Sequence, residues 1–122
     1  MGLDFSHGNA HWSYSGFMAF RERLMQRTFN TPLDNYMDGF SGDHPWTEMH
    51  QAHPLYPLLE HSDCDGELSP NECIDVARAL IMAVRRWSDD INTDEGYDRH
   101  QALKLAAGML MAAAENKPLE FR

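Results

Sequence analysis

Apolar residues recur at spacings of three and four in three long stretches of the chain, the pattern of helices with one buried face. From Trp12 to Phe29, Phe17, Phe20, Leu24 and Thr28 fall on one side, while Arg21, Arg23 and Arg27 lie on or beside the polar face. Ser13 or Ser15 is placed to cap this helix, and Asn30-Thr31-Pro32 ends it, because the residue before proline avoids helical angles. The second helix runs from about Pro70 to Ser88, with Ile74, Ala77, Leu80, Ile81, Val84 and Trp87 as its apolar stripe. Its start is the best marked in the chain: Ser69 as cap, Pro70 in the first helical position and Glu72 three residues on, an S-x-x-E capping box. The third covers about Asp94 to Asn116, with Leu103, Ala106, Ala107, Leu110, Ala113 and Ala114 recurring at helical spacing. Its alanines and Gly108 predict close helix packing and a central place in the bundle.

Shorter elements fill the remainder. Leu55, Leu58 and Leu59 predict a short helix between Pro54 and His61, and residues 30–46 read as loop, punctuated by Gly39, Gly42 and Pro45. Leu3 and Phe5 alternate with polar residues at one end, and Leu119 and Phe121 do so at the other, which predicts a two-stranded ribbon joining the N- and C-termini. The expected fold is mainly α: a compact bundle of about four helices with that short ribbon, residues 1–122 forming a single domain.

Composition narrows the class. With 122 residues, 43% of them apolar, the chain is long enough to bury a core without staples. No apolar run approaches the roughly 18 residues of a membrane span. The opening Met1-Gly2-Leu3-Asp4-Phe5 lacks a basic start followed by an apolar stretch, so no secretory signal is expected. With no such signal, Cys64 and Cys73 read as thiols in a reducing cytoplasm.

Charge changes the picture more. The formal net charge is -9, which argues against direct nucleic-acid binding, since phosphates demand clustered Lys and Arg. Nearly all of it lies in the middle of the chain. Between Arg27 and Arg78 there is no Lys or Arg, yet that stretch holds ten acids: Asp34, Asp38, Asp43, Glu48, Glu60, Asp63, Asp65, Glu67, Glu72 and Asp75. Such a region is a solvated acidic face, a cation site or a surface that docks a basic partner.

The most pointed candidate is His61-Ser62-Asp63-Cys64-Asp65-Gly66-Glu67-Leu68-Ser69-Pro70-Asn71-Glu72, which can be laid on the calcium-loop pattern D-x-[DN]-x-[DN]-G-x5-E. Asp63, Asp65, Gly66 and Glu72 match at places three, five, six and twelve, and Leu68 is the apolar anchor at eight. A hard cation needs several oxygens on a short loop: the carbonyl of Glu67 would be a ligand and Glu72 would close the site with both oxygens. His61 stands where an aspartate belongs, and its nitrogen suits zinc or manganese better than calcium. The candidate ligands are therefore His61, Asp63, Asp65, Glu67 and Glu72, for Ca2+ or, as alternatives, Zn2+ or Mn2+. The same residues also suit a metal-free loop, in which Ser69 and Glu72 serve the capping box and Asp63 and Asp65 hold turn amides.

Weaker candidates are His7 with His11, four residues apart, and His50 with His53. Trp12, Tyr14, Phe17 and Phe20 read as core rather than as stacking platforms, and Cys73 as a small buried apolar residue. No phosphate-cradling glycine loop, G-x-S-x-G elbow or H-E-x-x-H is found, so no enzyme signature stands out.

The opening Met1-Gly2-Leu3-Asp4, then Ser6-His7, Tyr14-Ser15 and Phe17, the block His61-Ser62-Asp63-Cys64-Asp65-Gly66-Glu67 with Cys73, and the end Pro118-Leu119-Glu120-Phe121 resemble a group of small uncharacterised proteins carried by bacteriophages and bacterial genomes. The resemblance implies a phage or bacterial origin and a place in the cytoplasm, that of the host cell if phage-encoded. Small acidic phage proteins often block host defence by binding a host protein or sequestering a signalling nucleotide. Three readings follow. One is a non-enzymatic acidic binding protein, a phage accessory or anti-defence factor, engaging a cation or a host protein with a basic surface. Another is a sponge for a small signalling nucleotide, lined by aromatics and His7 or His11, with Arg21, Arg23 and Arg27 to face a phosphate. The third is a metal-dependent hydrolase using His61, Asp63 and Asp65.

Overall fold

The computed structural model describes residues 2–30, 51–61 and 66–122. In order along the chain these form α1 (Tyr14–Phe29), α2 (Tyr56–Leu59), β1 (Glu67–Leu68), α3 (Pro70–Val84), α4 (Asp94–Ala114) and β2 (Leu119–Glu120). The protein is mainly helical with a small two-stranded antiparallel sheet, as the sequence predicts. Among the described residues no helix is long and apolar enough to cross a membrane.

Helix ends lie where local chemistry puts them. The Ser13 hydroxyl accepts from the Gly16 N–H and starts α1, and at the other end Asn30 adopts the left-handed conformation, its N–H bonded to the Gln26 carbonyl. Helix α3 opens on a full capping box: the Glu72 N–H donates to Ser69 Oγ at 3.2 Å, and the Ser69 N–H donates to Glu72 Oε1 at 2.9 Å. Thr93 caps α4 through the Gly96 N–H.

The buried faces differ in phase from the predicted stripes. On α3 the core side is Cys73, Val76, Ala77, Leu80 and Val84, followed by Trp87, while Ile81 is exposed and Ile74 only half-buried. On α4 it is Ala102, Leu105, Ala106, Gly108, Met109 and Ala112; of the six residues expected there only Ala106 is buried, and Leu110 lies in solvent. A helix with apolar residues on several sides offers more than one stripe, and the neighbour chooses. Here α3 and α4 pack chiefly on each other, and α4 is also covered by the N-terminal segment and β2.

Gly108 is what admits the N-terminal segment. A Cβ at that position would stand 2.3 Å from the His7 carbonyl oxygen, far inside contact distance. Gly8, at φ +76, lies against the Gly108 backbone from the other side.

The ribbon at the chain ends is built from three segments. β2 pairs antiparallel with β1 in the register Glu67 to Glu120 and Leu68 to Leu119. On its other side Phe5 bridges Phe121, with the Ser6 N–H on the Glu120 carbonyl at 2.9 Å and the Arg122 N–H on the Asp4 carbonyl at 2.7 Å. The C-terminal strand joins the two termini as expected, and it also takes the end of the acidic loop as its partner. Phe5, Trp12, Phe17, Phe20 and Phe121 interlock beneath the ribbon, with Trp12 stacked on Phe20 at 4.8 Å and Phe5 edge-on to Phe121 at 5.0 Å.

Arg21 departs most from expectation. The helical pattern predicts it on or beside the polar face of the first helix, yet it is fully buried. Its guanidinium lies over the Phe17 ring at 4.6 Å and donates to the carbonyl oxygen of His61. A buried charge is retained only with partners, and these bring α1 and the start of the acidic loop together.

Candidate functional site

The acidic loop is braced at both ends. The imidazole of His61 stacks on Phe121 at 3.9 Å, and its Nε2 lies 3.1 Å from the Glu67 carbonyl oxygen. A carbonyl only accepts, so Nε2 carries the proton and has no lone pair for a metal in this arrangement. Gly66, at φ +97, makes the turn that the sixth place requires; a Cβ there would meet the His61 ring at 2.9 Å. Leu68 is buried, and the Glu67 side chain points to solvent opposite Glu120, whose carboxylate is answered by Arg122 at 3.0 Å.

Glu72 sits on the first turn of α3 with Oε1 committed to the cap. His61, Glu67 and Glu72 are thus placed, while Asp63, Asp65 and Cys64 lie outside the described residues, as do His50 and, apart from Asn30, the expected loop at 30–46. Among the described residues, no group of three metal-capable side chains comes together. His7 and His11 serve different partners: His7 bonds Ser6 Oγ at 2.8 Å and Glu115 at 3.3 Å, and His11 Nδ1 bonds Asp4 at 2.8 Å. Cys73 is a buried thiol whose pKa is pushed up by desolvation, with Glu72 adding to the effect, and its Sγ contacts the Leu68 carbonyl. That is structural chemistry rather than reactivity.

A second site lies elsewhere. The first turns of α1 and α4 border a cavity of about 540 Å³ lined by His11, Trp12, Ser13, Ser15, Gly16, Ala19, Arg23, Asp94, Tyr97 and Asp98. The small residues Gly16 and Ala19, three apart on α1, leave the space. At the back, buried Asp98 accepts from the Trp12 indole N–H at 3.0 Å through Oδ1 and from the Arg23 guanidinium through Oδ2. Burial raises the Asp98 pKa; the Trp12 bond and Arg23 pull it down, and Asp94 pushes it up again. The Tyr97 hydroxyl donates to the His11 carbonyl at 2.9 Å, which fixes its ring as a wall of the pocket.

This pocket is what sequence reasoning missed. Trp12 and Asp98 are 86 residues apart, and Arg23 and Asp98 are 75 apart, so no spacing announces them. The signal present in the sequence is that Asp98 is in helical register with Ala102, Leu105, Met109 and Ala112, the face that is buried. No protein-family model, no curated protein and no solved structure matches the chain.

Proposed function

We propose that this is a small acidic binding protein that holds a small polar molecule between the first turns of α1 and α4. The observation that carries the reading is the cavity itself: about 540 Å³, within the usual range for ligand sites, with a preformed Trp12–Asp98–Arg23 network at its back. A buried carboxylate held from both oxygens fixes the polar geometry before any ligand arrives, which lowers the ordering cost of binding. Sequestration of a small molecule also fits the resemblance to phage and bacterial proteins and a role as an accessory or anti-defence factor.

The test is a chemically mixed fragment panel observed by amide NMR. Ligands are expected to shift Gly16 and Tyr97 in the wild type and to lose that effect in Ala19→Trp, which fills the pocket from an exposed position. No perturbation at those amides, or perturbation unaltered in the variant, counts against the reading.

A second reading keeps the acidic loop as a divalent-cation site for Ca2+, Zn2+ or Mn2+. It is supported by the positive φ of Gly66 at the sixth place, the buried Leu68 at the eighth and Glu72 on the first helical turn at the twelfth. Elemental analysis of the purified protein, with melting temperature measured with and without EDTA, tests it; a metal-free sample indifferent to EDTA sinks it.

A further inference from the structure

We infer that the ligand of the α1–α4 pocket is a small organic cation, an amine or a guanidinium; this rests on the pocket being a binding site. Charges on its walls decide the sign. Arg23 and Asp98 are paired, and Asp98 is only 8% exposed, so the two largely cancel. What remains is Asp94, which lines the pocket and whose carboxylate makes no hydrogen bond or ion pair among the described residues. At the rim, the imidazole of His11 is held by a further carboxylate, Asp4, at 2.8 Å.

The acceptors in reach are both oxygens of Asp94 and the lone pairs of the Tyr97 hydroxyl, whose proton is spent on the His11 carbonyl. The Tyr97 side chain lines the pocket and is partly exposed, which puts an aromatic ring within reach of a cation. Two helix N-termini oppose this with about half a positive charge each. Their first turns are already capped by Ser13 and Thr93, and half a charge does not cancel a whole carboxylate. The field of the chain, at net charge -9, acts in the same direction as Asp94 and draws cations toward the molecule.

A nucleotide fits less well. Its phosphate would face Asp94, and the charge of Arg23, the arginine on the wall, is already answered by Asp98. Its base would have no Trp12 face to stack on, because that ring is buried and stacked against Phe20.

The experiment is calorimetric titration of the full chain at low ionic strength with 1,4-diaminobutane and agmatine, alongside adenosine monophosphate and glucose as anionic and neutral counterparts. The cations are expected to bind saturably. Asp94→Asn should weaken them about tenfold or more by removing a charge-assisted contact. Asp75→Asn, the same charge change on exposed α3 outside the pocket, should leave affinity within about twofold. Equal weakening by both variants would show only the bulk field and overturn the proposal. Binding of adenosine monophosphate or glucose in place of the cations, blocked by Ala19→Trp, overturns the cation class and leaves the pocket standing. Failure of all four probes overturns it as well, and the fragment panel then decides whether the pocket binds anything.

Discussion

The Trp12 indole N–H donates to Oδ1 of Asp98 at 3.0 Å while Arg23 holds the other oxygen of the same carboxylate. The N-terminal arm with α1, and the distant α4, meet on one buried acid. Such a network is costly when partly satisfied, because a desolvated carboxylate keeps its demand for donors.

Trp12→Phe should therefore cost more than the lost ring atoms. Leaving Oδ1 without its donor adds about 1–3 kcal/mol of destabilisation. Urea unfolding of Trp12→Phe, Asp98→Asn and the double variant measures the coupling, which should exceed about 0.5 kcal/mol. Strict additivity would mean that the bond contributes nothing.

Two acids should give pH dependences of opposite sign. Asp98 has its pKa raised, chiefly by burial, so its folded form holds a proton more tightly than the unfolded chain does. Its contribution to stability is present below the ordinary aspartate range and is lost as pH rises through the raised value. Glu95 has its pKa lowered, first by the Ser88 N–H at 2.6 Å and then by Arg27. Its contribution is present above the ordinary glutamate range and is lost as pH falls through the lowered value. Melting temperatures over roughly pH 3 to 7 should show the wild type losing ground to Asp98→Asn as pH rises. Over the same range it should lose ground to Glu95→Gln as pH falls. Parallel curves would contradict both.

In an ordinary helix interior, Gly→Ala stabilises by about 1 kcal/mol. Gly108→Ala should do the reverse, because the new methyl would stand 2.3 Å from the His7 carbonyl oxygen, a backbone atom. Overpacking of this kind costs about 1–3 kcal/mol, read as a lower urea midpoint. An increase in stability would show that the N-terminal arm is loosely held there.

Glu72 belongs to the capping box and to the candidate cation loop, and one substitution separates the roles. Glutamine also completes a capping box but is a poor closing ligand for calcium. Glu72→Gln in EDTA should keep the wild-type melting temperature to within about 2 °C, while Ser69→Ala loses about 1 kcal/mol. If the loop holds a cation, the rise in melting temperature on adding Ca2+, Zn2+ or Mn2+ is present in the wild type and reduced in Glu72→Gln. A rise of the same size in both would place the cation elsewhere.

Local chemistry was legible in the sequence, because it acts over a few residues. Ser69, Pro70 and Glu72 specify the start of α3 wherever that helix lies, Ser13 starts α1, and Gly66 supplies the positive φ of its turn. The mainly helical class and the pairing of the chain ends follow from the period of apolar residues, which is also local. Which stripe of α3 and α4 is buried did not follow: Ile81 and Leu110 are as apolar as Leu80 and Leu105, and only the position of the partner helix separates them. Arg21 reads as a surface residue until Phe17 and the His61 carbonyl surround it. The pocket lay further from view, since Trp12, Arg23 and Asp98 become neighbours only when α1 crosses the start of α4. Periodicity reports how a segment turns, and burial depends on what the rest of the chain places beside it.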